Sequence, residues 1–172
     1  MNSTTTVAHE VTVPFRKELP PVPGFSGSPF SSLVVSAVDQ CLGQLMPEQR
    51  VLMGGDGTGI LLASVSGDTA TAETVGSQMV ERRQISPLLF HQSVPNPVLS
   101  LVAKKYGITG AISCLSVPDA VEREARLVAE TMVGDGDVDR VLVLVVGADG
   151  ATAYVLSGGV GEQSRKGLEE EC

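Results

Sequence analysis

Apolar residues recur along this chain in two rhythms, one helical and one extended. Phe30, Leu33, Val34, Ala37, Val38, Cys41, Leu42 and Leu45 follow one another at i, i+3, i+4 and i+7 spacing, the stripe of a helix that buries one side. Ser28 stands where a cap belongs, and Pro29 where a missing N–H is harmless. Cys41 falls inside the stripe and reads as a small buried hydrophobe. Ile60 to Val65 is a short apolar run between glycines and predicts a buried strand. A helix is expected from about Thr69 to Arg83 with Ala72, Val75 and Met79 facing inward, broken at Ser86-Pro87. Pro97 to Tyr106 reads as another helix, stopped by Gly107. Ile108 to Ser116 follows as a strand, and Pro118 opens a helix running to about Val133 with Val121, Ala125, Val128 and Met132 on one face. Glu122 and Arg126 sit one turn apart on its wet side.

The run from Val141 to Asp149 is apolar throughout until its end, as in a strand covered on both faces. A turn at Asp149-Gly150 then feeds ATAYVLSG, an antiparallel neighbour. Near the start, Val7 to Val13 alternates as a half-buried strand would, and Glu18 to Ser28 is a Pro-, Gly- and Ser-rich connector. Gly159 to Cys172 reads as a disordered acidic tail. The chain thus divides into a strand and connector over 1–27, a folded domain over 28–158 and a tail over 159–172. Strands alternating with helices argue for a layered α/β sheet.

Composition narrows the function. The 172 residues are 42% hydrophobic and only 3% aromatic, so the core is built from Val, Leu, Ile and Ala. The net charge of -8, with no basic run longer than Arg82-Arg83 and Lys104-Lys105, argues against a nucleic-acid partner. Cys41, Cys114 and Cys172 are odd in number and lack metal-ligand spacing, so neither a disulfide framework nor a metal site is implied, and a reducing cytoplasm fits. No secretory leader or membrane-spanning run is read in the sequence, and nothing in it calls for a cofactor.

Three segments, in order and spacing, resemble the N-terminal half of the β-ketoacyl synthases. The first runs from Gly59 to Gly110, with ISPLLFHQSVPN, a helix and YGITG looking like the Ser-x-x-Asn segment and Gly-x-x-Gly turn that precede the synthase nucleophile strand. The second is the helix after that strand, and the third is VDRVLVLVVGAD. The resemblance covers about Ser28 to Gly158 and implies an α/β, thiolase-like half: a mixed sheet of about five strands with helices on both faces.

In the synthases a nucleophilic Cys follows the turn at a fixed interval. The same interval here, nine residues on from Gly110, lands on Asp119, and the 20 residues from Asp119 to Asp139 match the stretch to the acid before the next strand. A carboxylate cannot form the thioester that stores an acyl chain. Asp119 therefore either caps its helix or sits in an acyl pocket, for which Ser93 and Asn96 are the other candidates. The resemblance puts the activating His residues in the C-terminal half of the synthase fold, and His9 and His91 do not match them. It implies an accessory subunit of the chain-length-factor kind, forming a homodimer or a heterodimer with a ketosynthase across an unusually apolar helix face. Arg82, Arg83, Lys104 and Lys105 are then candidates for touching an acidic acyl carrier protein. Two alternatives stand beside this: a small acyl-thioester enzyme using Cys114, and a nucleotide-binding kinase-like protein using GGDGTG at Gly54 to Gly59, a Gly-rich turn of the type that cradles phosphates.

Overall fold

The computed structural model describes residues 5–15, 18–25 and 27–158; the acidic tail read at 159–172 lies outside the described residues. Five strands, β1 (Thr5–Pro14), β2 (Thr58–Ser64), β3 (Ile112–Ser116), β4 (Arg140–Val146) and β5 (Gly150–Gly158), form one sheet in the order β1-β5-β4-β2-β3. The strands β3, β2 and β4 run parallel, whereas β5 pairs antiparallel with both β4 and β1. The expected mixed α/β sheet is therefore present, with β1 as one outer strand and β3 as the other.

Six helices connect the strands: α1 (Pro29–Gly43), α2 (Pro47–Val51), α3 (Thr69–Val80), α4 (Pro87–Gln92), α5 (Asn96–Tyr106) and α6 (Val121–Gly134). Alternate side chains of β2 and β4 supply two separate cores. Ile60, Leu62, Leu142 and Leu144 pack with α1 and α5 on one face. Leu61, Val141, Val143 and Val145 pack with Ala125 and Ala129 of α6 on the other. Every residue of the predicted α1 stripe is buried, and the Cys41 thiol donates to the His9 carbonyl at 2.9 Å. That carbonyl is available because β1 carries a bulge between Ala8 and Val11, where His9 takes a φ of 56°.

Several boundaries move for identifiable reasons. The turn at Met46-Pro47 continues into the short helix α2, and the break at Ser86-Pro87 starts a new one, α4, because Pro suits a first helical position. In α3 only Thr71 and Val75 are buried; Ala72 and Met79 face water, since the helix ends at Val80 and stands off the sheet. The strand β3 begins at Ile112 rather than Ile108. The Gly107–Gly110 turn delays it: Gly107 ends α5 with a φ of 68°, and a side chain at Gly110 would overlap the carbonyls of Asp56 and Thr58. On α6, Arg126 pairs with Glu130 at 3.0 Å rather than with Glu122.

Truncating a core leucine isolates this packing. Leu144→Ala, at a fully buried β4 position, is expected to cost about 2–5 kcal/mol, read as a lower urea midpoint at unchanged slope. A loss below about 1 kcal/mol would mean the two-faced core is not closed as described.

Candidate functional site

The connection from β2 to β3 returns over the α5 face, whereas the connection from β3 to β4 crosses the opposite face through α6. The carboxyl ends of β2 and β3 therefore flank a switch point, the place where open α/β sheets hold ligands. The two loops are joined there: Val117 N–H donates to the Ser64 carbonyl at 3.1 Å, and Ser116 Oγ donates to the Val65 carbonyl at 3.2 Å.

Asp119 lies in the β3–α6 loop and is exposed. It does not cap α6. The helix starts at Val121, three residues later than Pro118, and its cap position is Ala120, with φ 50°, ψ 39° and no side-chain cap bond. A left-handed alanine costs about 1–2 kcal/mol, so this loop stores strain at the mouth of α6. The chain reverses between a strand on one line and a helix on another within four residues, and Ala120 absorbs that reversal. Ser116, the last residue of β3, is nearer the strand end than Asp119 and was not singled out by interval counting. Its position at the strand terminus matches the end expected from the sequence.

Behind the β2 loop, Asp68 caps α3 and is 3% exposed. Its Oδ1 accepts from Thr71 N–H at 3.1 Å, and its Oδ2 accepts from Thr71 Oγ1 at 2.7 Å and from Ser28 Oγ at 2.5 Å. Ser28 in turn caps α1, accepting from Ser31 N–H at 2.9 Å. Two helix starts are thus fastened through one carboxylate, whose negative charge both helix dipoles favour. A cavity of about 400 Å³ opens beside it, between Phe15, Phe30, Ser64–Ala70 and Val146–Ala148. Sequence reading found Ser28 as a cap but not its long-range partner, because a 40-residue separation leaves no local signature.

The three pocket candidates are not drawn together in that cavity. Ser93 Oγ donates to the Phe90 carbonyl at 2.7 Å, and Asn96 is exposed at the start of α5. Among the basic candidates, Arg83 pairs with Glu81 at 2.8 Å and Lys105 with Asp39 at 2.7 Å. Arg82 and Lys104 have no carboxylate partner among the described residues. Cys114 is half-buried within β3, and burial pushes its thiol up to about 11; burial pushes Cys41 up to about 12. His9 lies on β1, at the far edge of the sheet, and His91 is exposed on α4. The Gly54–Gly59 turn enters β2 directly and opens no helix, so it lacks the helix N-terminus on which phosphate cradling depends. That feature counts against the kinase-like alternative. No group of His, Cys, Asp and Glu suited to a metal occurs among the described residues, and no described helix is long and apolar enough to cross a membrane.

No protein-family model matches the sequence, and no curated protein matches it either. Solved structures do. The ketosynthase ApeO in complex with its chain length factor ApeC, from Xenorhabdus doucetiae, matches at 15% identity and a TM-score of 0.69, over 93% of this chain and 81% of that one. The ishigamide ketosynthase/chain length factor matches at 14% identity and a TM-score of 0.62, over 78% of this chain and 44% of that one. A β-ketoacyl synthase from Burkholderia phymatum matches at 17% identity and a TM-score of 0.62, over 84% of this chain and 46% of that one. The fold is thus a ketosynthase-like, thiolase-type half, spanning less than half the length of the last two structures.

Two outcomes follow from the site. With a value near 11, the Cys114 thiol is about one part in a thousand thiolate at pH 8. Iodoacetamide labelling of native protein at pH 8 should leave Cys41 and Cys114 unmodified on a timescale that labels free glutathione fully; rapid labelling of Cys114 would contradict its burial. Both thiols have folded values raised above 9.0, so the stability they contribute is complete below that pH and is lost as pH rises through about 11 and 12. Separately, Asp68→Ala should cost about 1–3 kcal/mol and speed amide exchange in α3 before the sheet; uniform exchange across the molecule would deny the clamp.

Proposed function

We propose that this chain is a non-catalytic ketosynthase-like subunit that pairs with an intact ketosynthase, or with a second copy of itself, and acts as a chain length factor in polyketide- or fatty-acid-type biosynthesis. One observation carries the reading: oxygen, not sulfur, stands in the loop between β3 and α6. The last residue of β3, Ser116, offers a hydroxyl and the loop itself the carboxylate of Asp119, neither of which can hold an acyl group as a thioester. The nearest thiol among the described residues, Cys114, is two residues back from Ser116 inside the strand and held neutral by burial, which counts against an acyl-thioester enzyme built on it. The similar structures, a ketosynthase with its chain length factor and a ketosynthase/chain length factor, lend support.

A pairing surface is available on the sheet itself. Among the described residues the strand β3 has β2 on one side and no strand on the other, with Ile112 exposed, and an open edge is a template for a further strand. The apolar helix face expected from the sequence is not on α6, whose outer side carries Arg123, Glu124, Arg126 and Glu130. Exposed apolar groups gather instead on α3 and α4, at Met79, Val80, Leu88 and Phe90. An acyl carrier protein is a further proposed partner, and Arg82 and Lys104, lacking carboxylate partners among the described residues, are the cations left to meet its acidic surface.

Co-expression with a ketosynthase encoded beside it, followed by affinity capture and native mass spectrometry, should recover one complex containing both chains. Ile112→Lys should lower that recovery by about tenfold, since a lysine at a sheet edge opposes strand addition. A chain that stays monomeric and captures no synthase would sink the proposal.

A further inference from the structure

A second concavity lies between α1, α5 and the connector, on the face of the sheet opposite α6. It measures about 590 Å³, within the range of sites that enclose small molecules. Val35 of α1 and Leu101 of α5 form its floor with the buried Val22, and Pro20, Pro21 and Pro23 form one wall. Prolines hold that wall at a fixed backbone angle, so the cleft does not depend on a flexible loop to keep its shape.

The rim is cationic in a chain whose net charge is -8. Asp39, the one acid there, is already engaged: Lys105 Nζ lies 2.8 and 2.7 Å from its two oxygens, and Tyr106 donates to Oδ1 at 2.6 Å. Burial and the neighbouring Asp39 push the Tyr106 hydroxyl well above its usual range, so it remains a donor. With Asp39 neutralised, the Lys104 ammonium is the charge left to face an occupant. Ser36 adds a hydroxyl beside it.

We propose that this cleft binds an amphipathic anion, an unbranched alkyl chain ending in a carboxylate, with the chain against Val22, Val35 and Leu101 and the carboxylate on Lys104. An apolar floor with one unmatched cation at its lip selects for that combination: a neutral chain would leave Lys104 unused, and a small inorganic anion would leave the floor wet. The site is separate from β3 and α6, so it does not depend on pairing with a ketosynthase, but it shares Lys104 with the carrier-protein contact proposed above.

Decanoate, below its micelle concentration, is the probe, followed by amide chemical shifts of the labelled full chain. Saturable shifts confined to Val22, α1 and α5 are expected, and Lys104→Glu should weaken binding about tenfold while Lys104→Arg restores it. Decanol should bind more weakly than decanoate and be indifferent to Lys104→Glu. The proposal is overturned if the shifts do not saturate, if they centre on the exposed apolar residues of α3 and α4, or if Lys104→Glu leaves decanoate binding unchanged. Shifts in the same cleft from an acyl carrier protein but not from decanoate would also overturn it, assigning the cleft to a protein surface.

Discussion

The parallel pairing of β2 with β4 is the constraint on which the rest of the molecule depends. All seven residues of β2 are buried, and six of the seven in β4. Because successive side chains point to opposite faces, this pair needs helices on both sides at once, and α1 with α5 on one face and α6 on the other meet that demand. A slip of one residue would exchange the two cores and set Leu62 and Leu144 against the alanines of α6. The same register aligns Ser64 with Val146 and with Ser116, so the loops that line the switch point leave the sheet at one level.

From that level the molecule divides into a tightly held body and a looser margin. The body ends at the Ser28–Asp68 contact, which ties the start of α1 to the start of α3. Beyond it α3 buries only Thr71 and Val75, and α4 only Gln92. Few buried apolar groups secure this margin, and that is the physical profile of elements that shift or are covered on association. The strained Ala120 lies on the other side of the same crevice, so both lips of the switch point are formed by segments held less firmly than the sheet.

Much of the fold was legible because its signals are local. The α1 stripe, its Ser28 cap, the stop at Gly107 and the doubly buried β4 each depend on residues close in sequence. What escaped was set by distant contacts. The inward-facing reading of Ala72 and Met79 failed because helical periodicity does not say whether a surface exists for the helix to meet. The expected cap at Asp119 failed because Pro118 marks a plausible helix start, while Ala120 takes the turn that displaces that start. The bond between Ser28 and Asp68 joins segments 40 residues apart and the cleft beside Lys104 joins three elements at once, and no spacing rule reports either.

The reading of this chain as a chemically silent partner is tested most directly by the intact mass of the protein after incubation with an acyl thioester, either an acyl coenzyme A or a loaded carrier protein. The account predicts an unchanged mass, with Ser116, Asp119 and Cys114 unmodified on peptide mapping. An acyl adduct on any of the three, formed without denaturation, would contradict it.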